Sequence, residues 1–163
     1  LEGGSIKIKR LDKINEYKLL KIAQIISKHS FPGMKILLYG DLGTGKTTFT
    51  KGFIKNLLKD ENLTVTSPTF ALVKVYDNSI KIYHADLYRL SDPEEIPYIG
   101  LFEDNDGIYL IEWPERLEYY LPEERLEIHL FYNNDDINFR DIEIIPVGKK
   151  YTDIFEKLKE ELK

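Results

Sequence analysis

The chain has 163 residues, 42% of them hydrophobic and 31% charged, with a formal net charge of −5 and no cysteine. That length suits one domain with a single buried core. The composition excludes disulfides, thiol catalysis and, lacking any apolar run near ~20 residues, a helical membrane span.

Leu1-Glu2-Gly3-Gly4-Ser5 reads as a processed end or cloning remnant, leaving 6–163 as the expected domain. No signal-peptide pattern is found, so a cytoplasmic location is expected. Asn15 to Ser30 places Leu19, Ile22, Ala23 and Ile26 at helical spacing and is expected as an amphipathic helix, stopped by Phe31-Pro32-Gly33. Lys35 to Tyr39 is a short apolar run suited to a buried parallel strand. Thr47 to Lys59 returns to helical period. Phe70 to Tyr76 and Ile80 to Asp86 flank Asp77-Asn78-Ser79 as a hairpin. Asp92-Pro93-Glu94-Glu95 has the N-cap, proline and first-turn acids that open a helix. Ile108 to Ile111 reads as another buried strand, and Pro114 as the start of a short helix. Leu126 to Phe131 and Ile137 to Ile145 form a second hairpin about Asn133–Asp136, and Tyr151 to Leu162 closes as a helix. The expected fold class is α/β: a P-loop NTPase-like three-layer fold, its mixed sheet parallel at the centre with antiparallel hairpin additions and helices around it.

Gly40-Asp41-Leu42-Gly43-Thr44-Gly45-Lys46-Thr47 fits G-x-x-x-x-G-K-[ST] at every fixed position, between an expected strand and an expected helix. Glycines let such a loop curl so that backbone N–H groups point at phosphate oxygens, aided by the positive end of the following helix. Lys46 is then expected on the β- and γ-phosphates of ATP, with the Thr47 hydroxyl on Mg²⁺. Residues 41–48, Thr48 included, make up the expected nucleotide-contacting run.

Such a loop needs a carboxylate at the end of a neighbouring strand. Glu112, closing Ile108–Ile111, supplies one, followed by the constrained exit Trp113-Pro114-Glu115. Glu115 reads as a helix-start acid, and Trp113 as either core or site. His84 and Asp86 share a face by strand periodicity. Asp86 suits the Mg²⁺ shell or a held water, His84 is either a packed ring or a base, and Arg89 meets phosphate or a surface acid. Thr66-Ser67-Pro68-Thr69-Phe70 is either a γ-phosphate-sensing switch or a polar turn.

These motifs in order (Gly40 to Phe49, Ser67-Pro68-Thr69-Phe70, His84-Ala85-Asp86-Leu87-Tyr88-Arg89, and Glu112-Trp113-Pro114-Glu115) resemble the TsaE (YjeE) family of bacterial tRNA threonylcarbamoyladenosine biosynthesis, from about Asn15 to Phe131. The resemblance implies a domain that binds ATP and Mg²⁺ and hydrolyses ATP slowly. That hydrolysis would support TsaB and TsaD, which attach threonylcarbamoyl to adenosine 37 of tRNAs reading ANN codons. It further implies phosphate binding by Lys46 and Mg²⁺ held by Thr47 with Glu112. Asp86 would be required for hydrolysis, Trp113 would belong to the site, and Thr69 would sit in a switch-like loop. Thr44 stands where the family often has Ala. The mixed acidic charge lacks the basic face that grips nucleic acid by itself, so tRNA is expected only through partners. The competing readings are a P-loop kinase for small molecules or nucleotides, disfavoured by scattered arginines, and a nucleotide-dependent binding module without catalysis.

Overall fold

The protein is described by a computed structural model over residues 7–68 and 71–163. The remnant expected at 1–5 and the switch residues Thr69 and Phe70 lie outside the described residues. Seven strands occur, β1 (Lys9–Ile14), β2 (Lys35–Tyr39), β3 (Val73–Asp77), β4 (Lys81–Asp86), β5 (Ile108–Glu112), β6 (Arg125–Tyr132) and β7 (Arg140–Val147), with helices α1 (Glu16–Lys28), α2 (Lys46–Leu58) and α3 (Lys149–Glu161). The strands form one sheet in the order β1-β7-β6-β2-β5-β4-β3. β2 is parallel to β5 and β6, and β4 is parallel to β5. β3 joins β4, and β7 joins β6 and β1, antiparallel. The expected parallel centre with antiparallel hairpins is therefore present.

Alternation along the strands divides the core in two. Ile36, Leu38, Ile82, Leu110, Leu126 and Ile128 face all three helices, meeting Ile22 and Ile26 of α1, Phe49 and Phe53 of α2, and Ile154 and Phe155 of α3. Leu37, Ala85, Tyr109 and Ile111 face the other way, onto Leu87, Ile96 and Leu117. β5 is buried along its whole length, as an apolar run between two parallel neighbours must be.

The second face is covered by the helices expected at Asp92 and Pro114, and both are 3₁₀ segments, Pro93–Tyr98 and Pro114–Tyr120. At the first, Asp92 does cap as expected: its carboxylate accepts from Glu94 N–H at 2.9 Å, and Glu95 reaches back to Asp92 N–H at 3.2 Å. Pro97 then follows with no N–H to offer, so the α ladder cannot grow and the segment stays tight and short.

β1 is the element that the hydrophobic pattern did not announce. Lys9, Arg10, Asp12 and Lys13 dilute it, and the register breaks between Leu11 and Ile14, with Lys13 at φ 55°. It is an edge strand, where charge is a protection against further pairing. Its benefit is positional: it delivers Ile14, Asn15 and the start of α1 to the loop that follows β2.

Candidate functional site

β2 has a parallel strand on each side, so the crevice beyond its C-terminal end is where an open α/β sheet places a ligand. The loop 40–45 fills that position and runs straight into α2. Gly40 adopts φ +152°, and a Cβ there would lie 2.8 Å from the Leu130 carbonyl oxygen on β6, so the loop passes too close to its neighbour for any side chain. Gly45 at φ +116° is the N-cap of α2, without a side-chain hydrogen bond. The first-turn amides of α2 therefore lack the cap that Asn15 gives α1, where its carboxamide accepts from Lys18 N–H at 2.9 Å. Thr44 tightens the loop: its hydroxyl donates to the Asp41 carbonyl at 2.8 Å. Leu42 is left 60% exposed at the tip.

Lys46 is only 5% exposed. Its ammonium donates to the carbonyls of Gly40 and, at 3.1 Å, Asp41. It also lies 4.0 Å from the ring centroid of Trp113. Burial lowers its pKa from the ordinary lysine value, and Glu112 opposes that shift most strongly. Trp113 holds φ 59° and ψ 50°, a left-handed conformation that a bulky residue seldom adopts. That turn, enforced just before Pro114, lays the indole over the lysine while its other contacts join the second core. Trp113 thus packs on the second core and also touches Lys46.

Thr47 Oγ1 lies 3.2 Å from each carboxylate oxygen of Glu112, and 3.0 Å from Ser67 Oγ. Glu112 is 3% exposed, and its Oε2 is 2.6 Å from Nε2 of the fully buried His84. Asp86 stands opposite Glu112 in the β4–β5 register and accepts from Tyr88 N–H at 3.1 Å. Burial raises its pKa above the usual carboxylate value; the Tyr88 amide opposes this, and the charge of Glu112 adds to it. Glu115 takes the first turn after Pro114, as expected of a helix-start acid, and its charge also acts on Lys46.

Two of the cavities against the loop bear on the expected site residues. One, of about 290 Å³, is walled by Gly43–Gly45 and Thr48 together with Asn15, Glu16, Asn138 and Arg140. Arg140 ties it to the loop, donating to the Gly43 carbonyl at 3.1 Å, and Tyr132 O–H donates to the Leu42 carbonyl. The other, of about 300 Å³, lies between Leu42, Ser67, Asp86, Tyr88, Arg89 and Trp113. The structure thus brings residues 41–48, Asp86, Glu112 and Trp113 together. Sequence reasoning missed the first cavity's outer wall, because Asn15 and Arg140 lie far from the loop in the chain and belong to no motif.

Mg²⁺ prefers hard oxygen donors in an octahedron at 2.0–2.1 Å, which sets adjacent donors about 2.9 Å apart. A threonine hydroxyl 3.2 Å from two carboxylate oxygens fits that requirement in donor type and spacing. Among the described residues no group of three or more His, Asp and Glu is placed to hold a metal. The Thr47–Glu112 pair would supply only part of such a shell, the rest being left to other oxygen donors.

The fold and this loop define the class: an α/β protein of P-loop NTPase-like fold. The family model for the threonylcarbamoyl adenosine biosynthesis protein TsaE matches residues 14–142, and the chain belongs to that family. It is 38% identical over 146 residues to the tRNA threonylcarbamoyladenosine biosynthesis protein TsaE of Bacillus subtilis, covering 89% of this chain and 90% of that one. It is 40% identical over 139 residues to the TsaE of Haemophilus influenzae, covering 83% and 87%. The crystal structure of Bacillus subtilis YdiB superposes with a TM-score of 0.77 at 31% identity, covering 98% of this chain and 99% of that one. The family's process is tRNA modification, the formation of threonylcarbamoyladenosine.

Proposed function

We propose that this chain is the Mg²⁺-dependent ATPase subunit of threonylcarbamoyladenosine synthesis, binding ATP and hydrolysing it slowly to support TsaB and TsaD. The observation that carries the reading is the Thr47 hydroxyl poised between the buried Glu112 carboxylate and the start of α2. Residues 6–163 act as one cytoplasmic ATPase domain in this reading.

The amides of residues 41–47 grip the phosphate chain, and Thr48 and Arg140 border the cavity that takes the nucleoside end. Lys46 exchanges the Gly40 and Asp41 carbonyls for phosphate oxygens, a short movement guided by the indole face of Trp113. Thr47 and Glu112 would hold Mg²⁺, which when bound would supply charge neutralisation for phosphoryl transfer. Asp86 orients the attacking water by accepting one of its hydrogens; its burial, which raises proton affinity, suits that task. Ser67 lies within hydrogen-bond reach of Thr47, and a hydroxyl beside a metal ligand suits a segment that responds to the γ-phosphate. With a net charge of −5, the chain meets tRNA only through its partners.

Titration calorimetry with MgATP tests this. The parent chain is expected to bind, and Lys46→Ala to lose tight binding while staying folded. No heat from the parent would refute the nucleotide reading.

A further inference from the structure

His84 lies one strand away from the group it touches. The β4–β5 register sets Asp86 opposite Glu112 and His84 opposite Leu110, so the imidazole reaches diagonally toward the loop to meet Glu112 Oε2 at 2.6 Å. Both side chains are shut off from solvent, His84 at 0% and Glu112 at 3% exposure. The other ring nitrogen, Nδ1, is buried and has no hydrogen-bond partner among the described residues. A dry imidazole with one satisfied nitrogen is best served by the tautomer protonated on Nε2. That N–H donates to the carboxylate, and Nδ1 buries a bare lone pair instead of an unpaired N–H. Thr47 contacts both Glu112 oxygens equally, at 3.2 Å each, and so does not choose between them. The asymmetry comes from His84.

We propose that His84 is the positioning residue of this site. It pins Oε2 of Glu112 and leaves Oε1 as the oxygen presented beside Thr47 to a divalent cation. It touches neither nucleotide nor water and moves no proton. The inference rests on the Mg²⁺-nucleotide reading, yet the His84–Glu112 bond is testable without nucleotide. A carboxylate bonded to an imidazole on one oxygen is held in plane and orientation, and such outer partners of metal ligands govern affinity as the ligands themselves do. A histidine that merely filled the core would be replaceable by leucine without any effect specific to the metal.

Two measurements decide it. In the nucleotide-free protein, long-range ¹H–¹⁵N spectra of the imidazoles, with His29 and His129 as references, are expected to show His84 as the Nε2–H tautomer. Glu112→Gln is expected to move its Nε2 resonance and leave the other two rings alone. A protonated Nδ1, or indifference to Glu112→Gln, overturns the proposal. Calorimetry with ADP in the presence of chelator, and again with Mg²⁺, then separates positioning from packing. His84→Leu is expected to keep its metal-free ADP affinity and lose roughly 10- to 100-fold of the gain that Mg²⁺ confers. His84→Gln, whose side-chain N–H₂ reaches a similar point, is expected to recover most of that gain. An undiminished Mg²⁺ gain in His84→Leu, or an equal loss with and without Mg²⁺, overturns the positioning role. A parent chain that gains nothing from Mg²⁺ refutes the Mg²⁺ part of the proposed function instead, and the imidazole spectra still decide whether His84 holds Glu112.

Discussion

Strand β6 and the loop end of β4 each carry a half-buried carboxylate, and the two settle their charge in opposite directions. On β6, burial alone would raise Glu127, but hydrogen bonds from His129 and Arg125, both at 2.8 Å, outweigh it and hold the pKa below the usual value. The ring of His129 is in turn stacked on Tyr39 with centroids 4.3 Å apart. At the end of β4, burial prevails over the Tyr88 amide and Asp86 is raised. Strand β6 completes its charges locally and gains stability from them. The loop end keeps charge and backbone strain in a form that disfavours the folded state and leaves reactive groups available.

The largest test of that contrast is Glu112→Ala. It is expected to keep nucleotide binding and lower Mg²⁺-dependent turnover by roughly 10²–10³-fold, read by phosphate release. Wild-type turnover would mean the wrong carboxylate has been assigned. Ile144→Ala, in the helix-facing core of β7, is its structural mirror. Truncating a fully buried isoleucine is expected to cost about 2–5 kcal/mol in chemical denaturation, with turnover per folded molecule unchanged.

Asp86→Asn sharpens the comparison by sign. A folded-state pKa above the unfolded value means that stability falls as pH rises through the interval between the two. At neutral pH the ionised carboxylate is a penalty, so the amide is expected to raise the melting temperature while turnover drops. The thermal gain is expected to vanish in acid, below the ordinary aspartate range, where both side chains are neutral. A lower melting temperature at neutral pH would show Asp86 to be a structural acid. The smallest effect belongs to Glu127→Gln, whose linkage runs the other way. The depressed pKa contributes stability that is present above the ordinary glutamate value and lost as pH falls through the folded one. The substitution is expected to cost under ~1 kcal/mol at pH 7 after solvent screening and nothing in strong acid, read from melting curves across pH.

The four ordered motifs made the loop and its acids legible, because phosphate binding constrains neighbouring positions within short segments: glycines where backbones must curl and approach, a lysine and a hydroxyl at the start of a helix, an acid at the end of an apolar strand. The hydrophobic periods likewise announced β2, β5, both hairpins and all three helices. β1 escaped because an edge strand buries too little to show a period, and the helix expected at Asp92 became 3₁₀ because one proline withholds its amide.

By itself, then, the sequence determined the glycine-rich strand–loop–helix and the residue types beside it, since those depend on local backbone geometry and charge. Only the tertiary structure decided that His84 meets Glu112 from the neighbouring strand, and that Asn15 and Arg140 wall the cavity on the loop's far side. These are matters of register and crossover between segments far apart in the chain, and register is set by how a whole buried face packs, which no short stretch of residues encodes.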